Sequence, residues 1–212
     1  MIPLDIWSDP VCPWCLIGKT ALDRALESRP AHPFAIAWHP FQLNPDMPDT
    51  GMDRHAYLAL KFGDTQGVLD AYRPVIARAE AEGLALDLAA IARTPNTRNA
   101  HRLIHWAGIE GRQGAMVSAL FRAYFREGRD IGASDVLADL AAEAGMDRKL
   151  AARVLATDAD VDTIRTADRN ARARGITGVP FFVVADELAI PGAQDTAFWQ
   201  HLIDQLTAAD TQ

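Results

Sequence analysis

The sequence has 212 residues, of which 49% are hydrophobic and 23% are charged, and its formal net charge at pH 7 is −7. This composition is typical of a globular protein with a sizeable core, built as one domain or as one domain with an insertion. The negative charge argues against a nucleic-acid partner, and no run approaches the about 18 apolar residues of a membrane span. No leader-like pattern precedes the first strand residues, so we expect a cytoplasmic protein. We also expect a monomer or a homodimer.

A strand-to-helix junction near the start of the chain holds both cysteines. Residues 2–7 alternate apolar and polar side chains as a half-buried strand does, and apolar residues recur at helical spacing after Cys15. Between them lies the motif Ser8-Asp9-Pro10-Val11-Cys12-Pro13-Trp14-Cys15. Pro13 suits the first position of a helix, where its missing N–H would be unpaired in any case. The pattern therefore predicts that Cys12 starts the helix and that Cys15 lies one turn further along.

This placement predicts a redox-active dithiol. Unpaired backbone N–H groups and the positive end of the helix dipole favour a thiolate over a thiol at a helix N-terminus. We therefore expect Cys12, partly exposed at the junction, to attack disulfides at neutral pH and to form a disulfide with Cys15. In the cytosol, where thiols are kept reduced, a cysteine pair is more often catalytic than structural.

Two alternatives to the dithiol stay open at this point. The cysteine pair could be half of a zinc site, which would need further ligands such as the helical pair His101 and His105. It could also be two inert buried thiols, although burial alone does not explain Pro13 and Trp14 between them. We predict that the protein holds no metal.

The next segments complete a βαβ unit. We predict a helix over residues 13–27 and a second strand over residues 34–38, parallel to the first. The proline-rich loop over residues 39–48 leaves that strand, and such loops tend to line a ligand crevice, although a rigid connector is the alternative. Its first residue, His39, is a candidate acid or base.

A long helical segment follows, in which Gly residues and polar caps separate the helices. The predicted helices cover residues 53–62, 65–82, 87–93, 96–109, 112–127, 134–144, 147–156 and 158–174. Asn96 is predicted to cap the fourth of these helices. Asn99 and His101, which follow it, are further candidate site residues.

The pattern changes again near the C-terminus. Residues 181–184 are an apolar run of β-formers, Asp186 and Glu187 predict a hairpin turn before a strand over residues 188–190, and residues 191–194 open a last helix. We predict an α/β fold in which residues 1–48 and 175–212 form the core and residues 49–174 form an all-helical insertion domain.

Several phrases of the sequence occur together in one family. They are Ser8-Asp9-Pro10-Val11-Cys12-Pro13-Trp14-Cys15, His39-Pro40-Phe41-Gln42-Leu43-Asn44-Pro45, Asn96-Thr97-Arg98-Asn99-Ala100-His101-Arg102-Leu103 and Thr177-Gly178-Val179-Pro180-Phe181-Phe182. With the long helical insertion between its halves, the chain resembles the DsbA-like branch of the thioredoxin superfamily, and within it the cytosolic FrnE-like oxidoreductases. The resemblance implies a thioredoxin-like fold and a protein-disulfide oxidoreductase.

The resemblance also implies roles for individual residues. Cys12 would be the nucleophile, Cys15 the resolving thiol, and Pro180 the carrier of a cis peptide bond that faces the dithiol. The insertion would then form a lid over a groove at the dithiol. The residues expected to bind substrate are Pro13, Trp14, Asn44, Val179, Gln194 and Asp195. We expect protein or small-molecule thiols and disulfides as substrates, and no bound cofactor besides the Cys12–Cys15 disulfide, with glutathione as a candidate co-substrate.

Two other functions compete with this one. Kappa-class glutathione transferases and 2-hydroxychromene-2-carboxylate isomerases resemble the chain in fold and loop phrases, but they typically have Ser at the catalytic position and lack the second Cys. The presence of Cys12 and Cys15 therefore favours redox exchange. The third hypothesis is a non-enzymatic chaperone whose helical insertion holds apolar clients.

Overall fold

The computed structural model describes residues 1–209, so residues 210–212 of the predicted C-terminal core segment lie outside the described part. Its six β-strands are β1 (Ile2–Ser8), β2 (Phe34–Pro40), β3 (Met52–Asp53), β4 (Arg93–Thr94), β5 (Phe181–Val184) and β6 (Leu188–Pro191). Its nine α-helices are α1 (Pro13–Ser28), α2 (Arg54–Phe62), α3 (Thr65–Ala81), α4 (Arg98–Ile109), α5 (Gln113–Phe125), α6 (Ser134–Glu143), α7 (Arg148–Leu155), α8 (Val161–Ala173) and α9 (Thr196–Ala209). None of these nine helices is both long enough and apolar enough to cross a lipid bilayer.

A four-stranded sheet joins the two ends of the chain. Its strand order is β2-β1-β5-β6. β1 pairs in parallel with β2, as predicted, and antiparallel with β5, which continues through a hairpin into β6. Ala185 and Asp186 in that hairpin have positive φ angles of 57° and 59°, as a tight hairpin turn requires. The predicted α/β, thioredoxin-like fold is confirmed.

Helical segments pack on both faces of the sheet. On one face Phe182 of β5 packs edge-on against Trp199 of α9, with ring centroids 4.8 Å apart. Burial of aromatic side chains of this size contributes about 1.5–3 kcal/mol each. On the other face Trp7 of β1 and Phe41 cluster with Ala171 of α8. The helical segment therefore packs directly on the core strands.

Residues 87–93 are not helical, contrary to the prediction. Leu84, Leu86 and Leu88 alternate along an extended segment and pack on the core. The Asp87 carboxylate accepts a hydrogen bond from the Ala90 N–H at 3.0 Å, a local bond that competes with helix formation. The segment ends in β4, which pairs with β3, so the insertion is not wholly helical.

The start of α4 also differs slightly from the prediction. Thr97, not Asn96, occupies the capping position, and its side chain makes no capping hydrogen bond. The Asn96 carboxamide oxygen nevertheless accepts the Arg98 N–H at 2.9 Å. Asn96 thus pairs one of the free N–H groups at the start of α4, although it lies one residue before the capping position.

The end of α5 offers a test of this packing. Gly128 has a φ angle of +63°, and a Cβ atom at this residue would lie 2.4 Å from the Ala90 carbonyl oxygen. Gly111 also has a positive φ angle, of +69°, but a Cβ atom there would meet nothing within 4 Å. We expect Gly128→Ala to lower the free energy of unfolding by about 2 kcal/mol more than Gly111→Ala, because only Gly128→Ala adds a clash to the backbone strain. Urea unfolding of both variants measures the difference. Equal losses of stability would contradict the close contact between Gly128 and Ala90.

Candidate active site

The two cysteines lie at the N-terminus of α1, as predicted. Cys12 occupies the capping position with extended backbone angles and Pro13 is the first helical residue. The Cys12 N–H donates to the Asp9 carbonyl at 2.9 Å, and the Cys15 N–H donates to the Cys12 carbonyl at 3.1 Å. Both cysteines are free and buried in the structure. Cys12 is only 3% exposed, so the expectation of partial exposure is wrong: the junction is covered by the insertion and reaches solvent through a cleft.

The Val179–Pro180 step faces this junction from the other end of the chain. Its peptide bond is cis. The Cys12 Sγ atom lies 3.5 Å from the Val179 carbonyl oxygen, to which the thiol donates. Pro180 is buried against α1, where a Cβ atom on Gly18 would lie 3.2 Å from the proline ring. The absence of a side chain at Gly18 therefore lets the helix approach Pro180 closely.

The two thiols differ in their electrostatic environment. Burial raises the pKa of the Cys15 thiol well above its usual value, and the neighbouring Cys12 sulfur raises it further. The Ser8 hydroxyl and the Asp9 backbone, which face Cys15, lower that pKa only in part. Cys15 therefore stays protonated at neutral pH.

A cleft of about 270 Å³ opens beside Cys12, between the core and helices α2 and α3. Its wall is apolar and aromatic, with two cationic side chains and no carboxylate. The lining residues that matter most are Cys12, Pro13, Trp14, Leu43, Arg54, Tyr57, Lys61, Phe62, Tyr72 and Val179. Pro13, Trp14 and Val179 therefore line the same cleft as Cys12, and their role in substrate binding stays a prediction.

The remaining predicted crevice residues lie outside the cleft wall. The Asn44 carboxamide oxygen accepts a hydrogen bond from the Tyr57 hydroxyl at 3.1 Å, so Asn44 supports the wall from behind. The Gln194 carboxamide donates to the Pro191 carbonyl at 2.9 Å. The exposed Asp195 accepts the Phe198 N–H at 2.7 Å and so caps α9.

His39 and Asn99 also make contacts away from the cleft. The His39 ring stacks on Trp7 with ring centroids 4.8 Å apart and hydrogen-bonds the Asp5 carboxylate. Asn99 accepts a hydrogen bond from Arg102 at 2.9 Å. The structure therefore does not bring these two candidates to the dithiol.

Asp9, which the sequence motif contains but to which we assigned no role, ties three segments together beneath the dithiol. Its fully buried carboxylate accepts the Leu43 N–H at 2.7 Å and the Val11 N–H at 3.4 Å. Burial raises the pKa of Asp9 to about 6, although these N–H groups and the Thr97 hydroxyl lower it. The carboxylate thus fixes the loops on both sides of the cleft.

His101 lies beside Asp9. Its Nε2 atom is 3.8 Å from the Asp9 Oδ1 atom and has no hydrogen-bond partner within the described residues, and the side chain is 2% exposed. Burial lowers the pKa of His101 to about 4, although the nearby Asp168 carboxylate and the Phe41 backbone raise it. His101 is therefore neutral at pH 7 and supports the loop below the cleft without lining it.

Residues missed by the sequence analysis form most of the far wall. Arg54, Tyr57 and Lys61 recur at i, i+3 and i+7 along α2, so they share one face of that helix. This periodicity is visible in the sequence, but it does not indicate that the face meets Cys12. Across residues 1–209, no three His, Cys, Asp or Glu side chains are grouped as a metal site would require.

Residues 3–204 match the model of the DSBA-like thioredoxin domain. The chain belongs to the DSBA-like thioredoxin domain family. A relative of this DSBA-like domain, the uncharacterized protein YwbO of Bacillus subtilis (strain 168), is 28% identical over 193 residues, which cover 91% of this chain and 90% of that protein. The crystal structure of the probable DsbA oxidoreductase SCO1869 from Streptomyces coelicolor is 31% identical, with a TM-score of 0.84 over 98% of this chain and 91% of that chain.

Two further solved structures share the fold of the DSBA-like domain at lower identity. 2-Hydroxychromene-2-carboxylate isomerase has a TM-score of 0.74 at 18% identity and covers 99% of both chains. The cytosolic disulfide reductase DsbM from Pseudomonas aeruginosa, solved with GSH, has a TM-score of 0.70 at 17% identity over 97% of this chain and 99% of that chain. The fold is thus shared with a disulfide reductase and with an isomerase.

The different environments of the two thiols predict the order in which they are alkylated. We expect iodoacetamide at pH 7 to modify Cys12 of the reduced DSBA-like domain at least about tenfold faster than Cys15, because only Cys12 opens to the cleft and burial raises the pKa of Cys15. Peptide mapping by mass spectrometry measures the order. Equal rates at both cysteines would contradict the geometry.

The buried His101 predicts a pH-dependent contribution to stability. In the unfolded chain the ring takes up a proton below about pH 6.5, whereas in the folded chain it does so only near pH 4, so His101 lowers stability as the pH falls through this window. Asp9, whose folded pKa is raised to about 6, has the opposite effect and is present in both proteins compared. The free energy of unfolding of His101→Gln minus that of the wild type should therefore rise by about 2–3 kcal/mol as the pH falls from 7 to 4.

Urea unfolding at several pH values measures this change, with His55→Gln, which alters an exposed histidine of α2, as the control. A constant difference between wild type and His101→Gln across the window would show that His101 titrates normally in the folded protein.

Proposed function

We propose that the protein is a thiol–disulfide oxidoreductase in which Cys12 is the nucleophile and Cys15 the resolving thiol. The observation that supports this most strongly is the position of Cys12. Its sulfur lies at the start of α1, opens to the cleft and is 3.5 Å from the Val179 carbonyl, with the protonated Cys15 behind it. Membership of the DSBA-like family supports oxidoreductase chemistry, and the presence of both thiols supports exchange through a mixed disulfide.

The proposed reaction balances without a bound cofactor. The Cys12 thiolate attacks one sulfur of a substrate disulfide, whose S–S bond breaks as a mixed disulfide forms and the first substrate thiolate leaves. The Cys15 sulfur then attacks Cys12, the mixed disulfide breaks and the second thiolate leaves. The two protons of the protein thiols end on the two released thiols, and two electrons pass from the protein to the substrate. The reverse sequence oxidises a dithiol.

We propose that residues 1–48 and 175–212 act as the catalytic core and residues 49–174 as a lid. Helices α2 and α3 of the proposed lid supply one wall of the cleft. Residues of the core, among them Pro13, Trp14 and Val179, supply the other. The Val179 carbonyl next to Cys12 suits hydrogen bonding to the backbone of an extended substrate. Pro180 would keep that carbonyl against the dithiol.

Glutathione is a candidate co-substrate of this reaction. DsbM was solved with GSH, and it shares the fold over nearly the whole chain. Because DsbM is named a cytosolic reductase, it also supports the cytoplasmic, FrnE-like assignment that the sequence phrases suggest. The rival proposal is a glutathione-dependent isomerase or transferase, which the fold similarity to 2-hydroxychromene-2-carboxylate isomerase supports. The chaperone hypothesis has no comparable support.

Single replacements of the two cysteines test the proposal. We expect Cys12→Ser to lose at least about 100-fold of the rate at which the reduced protein cleaves insulin disulfides, because the attacking sulfur is gone. Cys15→Ser should accumulate a mixed disulfide at Cys12 that intact-mass analysis detects, since nothing resolves it. Cys12→Ser is the matched control for that adduct, because it retains the buried Cys15 alone.

The alternatives give different results in the same variants. Full isomerase or transferase activity in Cys15→Ser, with glutathione bound noncovalently, would favour the rival enzyme class. Client binding that persists after both replacements, without any disulfide cleavage by the wild type, would favour the chaperone. Cleavage of insulin disulfides by Cys12→Ser at the wild-type rate would overturn the proposed mechanism.

A further inference from the structure

A buried cation without a counterion lies in the wall of the cleft. Arg54, the first residue of α2, is 8% exposed. Its guanidinium donates to hydroxyl groups only, those of Thr94 at 3.2 Å, Tyr124 at 3.5 Å and Tyr72. No carboxylate of residues 1–209 forms an ion pair with it, although most other arginines near the surface have one.

The surroundings of Arg54 reinforce the positive character of the cleft. Lys61 lies about two turns further along the same face of α2 and also lines the cleft. Its ammonium group donates to the Tyr57 hydroxyl at 2.8 Å. The aromatic rings of Tyr57 and Tyr72, 5.8 and 5.7 Å from the Arg54 guanidinium carbon, stabilise the cation by cation–π contacts, but they carry no negative charge that would neutralise it. Asp and Glu are absent from this wall, although the whole chain carries a net charge of −7.

Burying the Arg54 guanidinium without a carboxylate partner costs free energy of folding. A buried cation that bonds only neutral hydroxyls lacks the charge-assisted partner that usually offsets its loss of hydration. Hydroxyls can orient a guanidinium, but a planar carboxylate matches its paired N–H groups and binds it about twice as strongly as a neutral acceptor does. An anion that entered the cleft would therefore complete the site.

We propose that the cleft binds low-molecular-mass thiols or disulfides that carry a carboxylate, with the carboxylate held by Arg54 and Lys61 and the sulfur presented to Cys12. This inference rests on the proposed thiol–disulfide exchange and names the substrate class. The cleft volume of about 270 Å³ suits a small molecule rather than a folded protein loop. Arg54 and Lys61 are then binding residues that select the charge of the substrate, and disulfides with a positive net charge are repelled.

Three small disulfides of similar size test the selection: dithiodiglycolate, which is anionic, bis(2-hydroxyethyl) disulfide, which is neutral, and cystamine, which is cationic. The reduced protein is mixed with each, and acid quenching followed by mass spectrometry gives the rate at which the Cys12–Cys15 disulfide forms. Each rate is divided by that of 2-mercaptoethanol with the same disulfide, which removes differences in intrinsic reactivity. For the wild type we expect the order anionic, neutral, cationic, with the anionic compound about tenfold ahead of the neutral one, as one charge-assisted hydrogen bond would give.

Charge variants then locate the selection. Arg54→Met should lower the anionic-to-neutral ratio about tenfold, towards one, whereas Arg54→Lys should keep part of it and Lys61→Met should lower it less. Arg165→Met removes the same charge from the exposed face of α8 and serves as the matched control, in which the ratio stays at the wild-type value. Far-ultraviolet circular dichroism checks that each variant is folded.

The outcomes separate this inference from the proposed function. If the wild type reacts with all three disulfides at similar normalised rates, or if Arg165→Met lowers the ratio as much as Arg54→Met, the inference is overturned and the exchange reaction stands. If none of the three disulfides oxidises Cys12 and Cys15, both fail. If Arg54→Met does not fold, the order of the three normalised rates in the wild type decides whether the inference holds. Lys61→Met, which changes an exposed residue, then serves as the second variant.

Discussion

The antiparallel pairing of β1 with β5 brings the two ends of the chain together at the dithiol. In the register of this pairing Trp7 lies opposite Phe181. The loop that leaves β1 therefore meets the loop that enters β5 at the same end of these two central strands. Cys12 and Val179, 167 residues apart in sequence, consequently lie 3.5 Å from sulfur to carbonyl oxygen. Everything else at the site, including the cleft and its far wall, is arranged around this contact.

The loops at that edge are held by buried polar groups rather than by apolar packing alone. The Asp9 carboxylate binds backbone N–H groups from the loops after β1 and β2, and Asp168 of α8 accepts the Gln42 N–H at 2.8 Å. Burial of these groups costs free energy, as the raised pKa of Asp9 and the lowered pKa of His101 show. In return the loops have directional bonds that fix their positions, which apolar contacts do not provide.

The parts of the fold that could be predicted from the sequence are those set by local pattern. Pro13 and the helical spacing after Cys15 place the dithiol at the start of α1. Alternation over residues 2–7 and the apolar run over residues 181–184 identify the two central strands of the sheet. The segment over residues 87–93 was predicted incorrectly because its Ala and Leu content favours a helix, whereas Asp87 and the packing of alternate leucines favour an extended chain.

The far wall of the cleft depends on tertiary packing that no local pattern reveals. The periodicity of Arg54, Tyr57 and Lys61 gives a helix face, but which face meets Cys12 is decided by how α2 and α3 pack on the core. For the same reason Gln194 and Asp195, adjacent in sequence to the core strand β6, have side chains engaged in local hydrogen bonds instead of lining the cleft. Their assignment to substrate binding stays a prediction.

The central claim is that Cys12 and Cys15 form one reversible two-electron couple. Equilibration of the protein with mixtures of reduced and oxidised dithiothreitol and glutathione, followed by acid trapping and alkylation, measures this couple directly. The account predicts a single transition in which both cysteines become protected together, with a slope for two electrons, about 30 mV per tenfold change in the equilibrium constant. Independent oxidation of the two cysteines, or no Cys12–Cys15 disulfide across the whole range of buffers, would contradict it.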